Sequence, residues 1–351
     1  MIPLKQSSQQ SSRQTSARWK SSAGAEAAPR ERKIGVIIPC YNVKDTIAGV
    51  IRGIPDFVDR IIVVNDASSD DTYDQVLRLA DPRVMAINHE VNKGVGGAML
   101  TGYRMGVELG MDVLVKMDGD GQMNPDHLED LVEPLVTGRA HYAKGNRFND
   151  QHALDSMPPL RRFGNGWLSF LTKWVSGYWH IFDVTNGYTA LLADTFRRLD
   201  TRRVASGYYF ETSMLVELNI IGARVADVDM PSIYGDEKSN LRIRRVVLSF
   251  PLKLMRSYLR RFYYRYLIRD FNALSLCAII GWPLFAFGVL YALSLWIHPP
   301  QLGEPTPAGT VMLAALPIIL GFQLVLTSLI LDVVFTPQPL ATPHDDPHFR
   351  S

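Results

Sequence analysis

The chain has 351 residues, with 37 Lys/Arg against 35 Asp/Glu and a net charge of +2, so no overall basic bias points to nucleic acid. Two cysteines, Cys40 and Cys277, give neither a repeated metal spacing nor a disulfide framework, and the eight histidines form no HExxH cluster. The default compartment is reducing.

Residues 1–31 are rich in Ser, Gln and Ala and nearly lack aliphatic residues. They cannot build a core, and the expectation is a disordered tail without the apolar stretch of a secretory signal. KIGVIIP (33–39) is a continuous apolar run ended by Pro39, as in a buried parallel strand. A helix is expected over 42–57, a second buried strand in RIIVVND (60–66), and a helix in SSDDTYDQVLRLA with Ser/Asp candidates for its N-cap. RVMAINH (83–89) reads as a third strand, and NKGVGGAMLTGYRMGVELG begins in glycines and becomes a helix. DVLVKMD (112–118) is a fourth strand, followed by a helix with Pro125 in its first turn. Strands alternating with helices predict a mostly parallel α/β sheet covered on both faces, with ligands beyond the carboxyl ends of the strands.

Pro39, Asp66, the Asn92–Gly97 loop and the pair Asp118/Asp120 all fall at that edge. NKGVGG is neither a Walker A loop nor GxGxxG. Its glycines fit backbone amides near a phosphate or tight helix packing equally well. Asp118 is expected to end the fourth strand and Asp120 to lie just past it. Side chains two apart in extended chain point the same way, so both carboxylates could face one pocket and hold Mg²⁺ or Mn²⁺ together with substrate phosphates. A plain Asp-Gly turn is the alternative, and the later oxygens of an EF-hand are absent.

Between 141 and 241 the chain is less regular. Glu211 lies between an aromatic and an apolar run, either as a structural clamp or as a functional group. Arg147, Lys238 and Arg242 are candidate phosphate clamps, or simply basic surface. Residues 241–270 carry nine Lys/Arg among Val, Leu, Phe and Tyr and read as amphipathic helices in the membrane interface, with basic chains snorkelling to headgroups. Residues 271–297 and 309–331 contain no charge, and each is long enough to span a bilayer, which takes about 20 apolar residues. The loop between them has no Lys or Arg, so the positive-inside rule places both termini in the cytoplasm. The expected organisation is a tail (1–31), a transferase domain (32–240), juxtamembrane helices (241–270), a transmembrane hairpin (271–335) and a polar tail (336–351). Small residues in the hairpin suit close packing, compatible with a homo-oligomer, but spell no dimer motif.

Taken in order, IIPCYN (37–42), VVNDASSDDT (63–72), NKGVGGAM (92–99), MDGDGQMNP (117–125), KGNRF (144–148), DVTNGYTALLA (183–193) and Glu211 resemble a family-2 glycosyltransferase of the GT-A fold. More narrowly, the chain resembles the polyprenyl-phosphate glycosyltransferases of the dolichol-phosphate mannose synthase type. The resemblance implies that Pro39, Tyr41, Asn42, Asp66, Asn92, Lys93 and Gly94 line a nucleotide pocket. It makes Asp118 and Asp120 a DxD-like motif for the cation and donor diphosphate, with Gln122 beside them. Arg147, Glu211, Lys238, Ser239 and Arg242 would serve the acceptor phosphate or the loop over the site. Asp118, Asp120 and Arg147 would carry catalysis. Expected substrates are a UDP- or GDP-linked sugar and an undecaprenyl or dolichyl phosphate at the cytoplasmic leaflet, with inversion at the anomeric carbon. Two positions depart from the family. Val43 stands where a glutamate is usual, and Asn186-Gly187-Tyr188-Thr189 stands where Ser-Gly-Phe-Arg is common, removing one basic contact. The alternatives are a processive family-2 synthase, which usually carries more spans and a Q/RxxRW element not found here, and a membrane scaffold with a degenerate transferase domain.

Overall fold

The structure is a computed structural model that describes residues 32–147, 159–184, 186–230, 243–298 and 307–340. Lys238, Ser239 and Arg242, both chain ends and the loop between the two apolar helices lie outside the described residues.

Seven strands form one sheet in the order β3-β2-β1-β4-β6-β5-β7. They are β1 (Ile34–Cys40), β2 (Arg60–Asn65), β3 (Val84–Asn88), β4 (Val113–Lys116), β5 (Tyr142–Asn146), β6 (Thr189–Leu192) and β7 (Val225–Asp229). Every pairing is parallel except those of β6, which runs against β4 and β5. This is the mostly parallel architecture expected of the GT-A fold.

The apolar runs are continuous because the sheet is buried on both faces. Val36, Ile38, Val63 and Val115 pack beneath helices α1 (Ile47–Gly53) and α4 (Leu128–Val136). Ile37, Ile62 and Leu114 point the other way, against α3 (Gly94–Glu108) and α7 (Phe210–Ile220). Fully burying each such side chain contributes about 1.5–3 kcal/mol. Three local features refine these elements. β3 is an edge strand with no fully buried residue. Helix α1 starts only at Ile47, because Asn42 takes a left-handed conformation (φ 56°) and the Val43 carbonyl closes a turn with Thr46 and Ile47. Helix α2 (Thr72–Leu77) has no side-chain cap from its N-cap residue Asp71; Asp70 accepts from the Thr72 amide instead, at 3.1 Å.

Further along lie α5 (Pro159–Ser176), the short α6 (Ala193–Arg198) and α8 (Ile243–Arg261), which runs into a π-helical segment, Phe262–Arg269. The apolar helices α9 (Ala273–Ile297) and α10 (Ala308–Val334) pack as a hairpin. Only 28% and 17% of their most apolar stretches are buried, which is unlike the core helices of a soluble domain. Gly281, Gly288 and Gly321 sit at the crossing; a Cβ on Gly321 would come within 2.4 Å of the Phe285 nitrogen. These small residues are used inside the hairpin.

Two of the basic residues expected to snorkel, Arg261 and Arg265, are buried instead. Arg261 is 1% exposed and makes a two-pronged ion pair with Asp332 of α10, at 2.7 and 2.8 Å. Tyr266 and Trp179 also donate to Asp332. Arg265 reaches the carbonyls of Asn219 and Phe335. Gly177, in the left-handed region (φ 73°), gives Arg261 its passage: a Cβ there would lie 2.2 Å from Nη1. On α8, Leu252, Met255 and Leu259 form an exposed apolar row that Tyr263 of the π-helical segment continues, as an interfacial helix requires.

Candidate active site

The loops leaving the carboxyl ends of β1 and β2 are laced together. The Asn42 side-chain oxygen accepts from the Ser69 backbone amide (2.8 Å), the Asn42 backbone amide donates to Ser68 Oγ (3.0 Å), and the Val43 backbone amide donates to Thr72 Oγ1 (2.9 Å). Asp66 follows β2 and is 3% exposed. Its Oδ1 accepts from the Lys93 amide (2.9 Å) and lies 2.7 Å from His89 Nδ1, while Oδ2 accepts from the Gly94 amide (2.7 Å). Asp66 therefore staples the NKGVGG loop to the sheet edge.

The glycines of that loop serve packing. The amides of Gly96 and Gly97 donate to the Ser206 carbonyl, at 2.7 and 3.2 Å. A Cβ on Gly96 would stand 2.2 Å from the Ala205 carbonyl. With the amides of Lys93, Gly94, Gly96 and Gly97 all taken inside the protein, the helix start is not an open phosphate cradle.

Asp118 and Asp120 reach the same edge by a different route from the one expected. β4 ends at Lys116, and residues 118–121 form a turn, with Gly121 at φ 81°. The pair is thus not an extended i, i+2 arrangement. The Asp120 carboxylate accepts from the Gln122 amide (3.0 Å), and Thr46 Oγ1 ties the Gly119 carbonyl at 2.7 Å. A cleft of about 490 Å³ opens here. Pro39, Tyr41, Asp66, Asn92 and Gly94 line it together with Asp118 and Asp120; Cys40, Val43, Val95 and Ala98 add apolar wall. Asn42, Lys93 and Gln122 lie beside the cleft and are not among its lining. Burial, with Asp118 and Asp70 adding to it, pushes the Cys40 thiol far up, so it is an inert part of that wall.

Two lysines outside the expected set of site residues lie beneath the site. Lys116 is 2% exposed, and its ammonium sits 2.9 Å from Asp118 Oδ1 and 3.2 Å from Glu211 Oε1. Burial opposes its charge, yet the two carboxylates hold its pKa above the ordinary lysine value. Lys144 is fully buried and donates to the Asn186 carbonyl. Burial lowers it to about 8, with Glu211 and Asp183 opposing and Lys116 and Arg147 assisting. Thr189 is in register with both lysines, so it lies between them on β6. The sequence signals were a lysine inside an otherwise apolar strand, VLVKM, for Lys116 and the KGNRF stretch for Lys144.

The 183–188 segment is knotted by Asn186, which donates to the Gly145 carbonyl (2.8 Å) and to Asp183 (3.0 Å) and accepts from the Tyr188 amide (3.0 Å). Asp183 also braces Arg147, whose Nε lies 2.7 Å and whose Nη2 lies 3.3 Å from it; 40% of the Arg147 side chain stays exposed.

Among the described residues no three His, Cys, Asp or Glu side chains gather as a metal cage. Two carboxylates on one cleft instead fit a hard cation that takes its remaining oxygens from a bound diphosphate and water. Lys116 offsets one of their charges.

The pattern of glycosyl transferase family 2 matches residues 35–200. The chain is also 30% identical over 237 residues to the UDP-N-acetylglucosamine–dolichyl-phosphate N-acetylglucosaminyltransferase of Methanococcus voltae, covering 63% of this chain and 94% of that protein. The chain belongs to glycosyl transferase family 2. This glycosyltransferase is 33% identical over 201 residues to the undecaprenyl-phosphate mannosyltransferase of Micrococcus luteus, covering 56% and 82% of the two chains. Among solved structures, glucosyl-3-phosphoglycerate synthase of Mycobacterium tuberculosis, in complex with Mn²⁺, UDP and phosphoglyceric acid, aligns over 66% of this chain and 78% of that one, with TM-score 0.49 and 21% identity. The matched stretch of the glycosyltransferase contains the whole cleft lining with Lys116, Lys144 and Arg147; Glu211 and the hairpin lie beyond it.

Proposed function

We propose that this glycosyltransferase moves a glycosyl group from a UDP- or GDP-linked sugar to undecaprenyl or dolichyl phosphate at the cytoplasmic membrane face, with inversion and with Mg²⁺ or Mn²⁺ at Asp118 and Asp120. The observation that carries this reading is an acidic cleft on a domain whose α8 is ion-paired, through Arg261, to the foot of an apolar hairpin. Relatives named for a dolichyl-phosphate and an undecaprenyl-phosphate acceptor support the acceptor class. The nine basic residues of 241–270, against none in the loop between the spans, support the cytoplasmic face.

A phosphate monoester is already an anion near neutral pH, so its attack on the anomeric carbon needs little general-base help. The difficulty is bringing that anion towards a diphosphate. A bound divalent cation would neutralise the leaving diphosphate. Asp118 and Asp120 would hold that cation, and the cleft wall of Pro39, Cys40, Tyr41 and Val43 would seat the nucleotide. Arg147, aimed by Asp183, would hold the acceptor phosphate in line, opposite the leaving group. A single in-line displacement inverts the anomeric centre.

The test is transfer itself. Purified full-length protein with Mg²⁺ or Mn²⁺, undecaprenyl or dolichyl phosphate and a panel of radiolabelled UDP- and GDP-sugars should give a labelled, chloroform-soluble lipid. Folded protein that yields none with any donor would overturn the proposal.

A further inference from the structure

A buried ammonium costs several kcal/mol unless well paired. Lys116 occupies a position in β4 that an apolar side chain would fill at no such cost, among Ile37, Leu114 and Tyr103 on the same face of the sheet. Its two partners come from different directions. Asp118 belongs to the turn that lines the cleft, and Glu211 to the first turn of α7. The Asn186–Gly187 turn closes over them, since a Cβ on Gly187 would lie 2.4 Å from Lys116 Nζ and 2.8 Å from Asp118 Oδ2. Glu211 is 18% exposed and does not line the cleft, whereas Asp118 is 31% exposed and does.

We infer that Lys116 is a positioning residue for Asp118, and that Glu211 acts on the donor site through Lys116. The ammonium fixes one carboxylate oxygen of Asp118. Glu211 draws the ammonium back, so that Asp118 is oriented without being fully neutralised. Loss of Glu211 leaves the ammonium to Asp118 alone, where it competes with a cation. Loss of Lys116 leaves Asp118 without its anchor and Glu211 without a route to the site.

This rests on the cation reading above, and a double-mutant cycle on full-length protein in detergent separates the two. Mn²⁺ binding in the presence of UDP, and separately of GDP, is measured by electron paramagnetic resonance, with thermal midpoints taken alongside. Glu211→Gln and Lys116→Met should each weaken Mn²⁺–nucleotide binding about tenfold or more. In the Lys116→Met background, Glu211→Gln should add less than about twofold. Lys116→Arg, which can keep both ion pairs, should recover binding to within about fivefold of wild type. Multiplying single effects, or Lys116→Met binding as tightly as wild type, would overturn the inference while leaving the cation reading standing. Wild type that binds Mn²⁺ with neither nucleotide would remove both. If Lys116→Met does not fold, the same cycle on Lys116→Gln decides.

Discussion

Asp66 and Asp118 are both aspartates beyond the end of a parallel strand, and burial separates their work. Asp66 accepts two backbone amides and faces His89, a set that orders the Lys93–Gly94 loop. Asp118 shares the cleft with Asp120. Asp120→Ala should therefore lower sugar transfer at least about a hundredfold while the thermal midpoint moves little, as radiolabel transfer and differential scanning fluorimetry would show. Asp227 makes a different prediction. Burial raises its carboxyl to about 6, with Asp229 and Asp183 adding to the rise, although the Phe182 amide and Lys144 oppose it. The folded state then binds the proton more tightly than the unfolded chain, so stability is lost as pH rises from about 4 to 6. Asp227→Asn lacks that titration. Its midpoint should match wild type near pH 4 and exceed it by a few degrees at pH 7. The aspartates at strand ends were legible because carboxylates after apolar runs stand out. Lys116 and Lys144 were not, because a lysine beside an apolar run can as easily be exposed; its burial depends on partners 95 and 42 residues away, Glu211 and Asn186.

At the scale of elements, the reversed strand β6 does most to shape the site. The other strands bring their carboxyl ends to the cleft edge, but β6 begins there, so the Asp183–Tyr188 segment arrives at the same edge as Asp118 and Arg147. The first four strands could be read from their apolar runs. β5, β6 and β7 could not, because they are short, carry Lys144 and acidic residues, and one runs backwards. NKGVGG illustrates a second limit: its glycines mark a close approach, but only the fold shows that the approaching group is the 205–206 backbone. The departure at Thr189 also gains a physical account. Two lysines flank it in register, so the usual arginine would add a third charge to one buried row. Thr189→Arg should destabilise the protein by about 3–5 kcal/mol, measured by denaturant unfolding.

For the whole molecule, the decisive contact is between Arg261 and Asp332. Asp332 is the first charge after the apolar run 309–331, and it is the partner that lets Arg261 be buried. Asp332→Asn should cost about 3–5 kcal/mol, seen as a lower thermal midpoint in detergent, because an uncompensated guanidinium remains inside. Removing the hairpin should be worse, since Arg265 also loses the Phe335 carbonyl. This lock means that the cleft and the hairpin travel as one body. If the hairpin spans a bilayer as proposed, the enzyme searches for its lipid acceptor by lateral diffusion in a plane, and molecules per unit area replace molecules per litre as the relevant concentration. Adding inert phospholipid at constant total acceptor should slow transfer in proportion to the acceptor's mole fraction, followed as initial rates in proteoliposomes. A rate indifferent to that dilution would mean the acceptor is taken up from water.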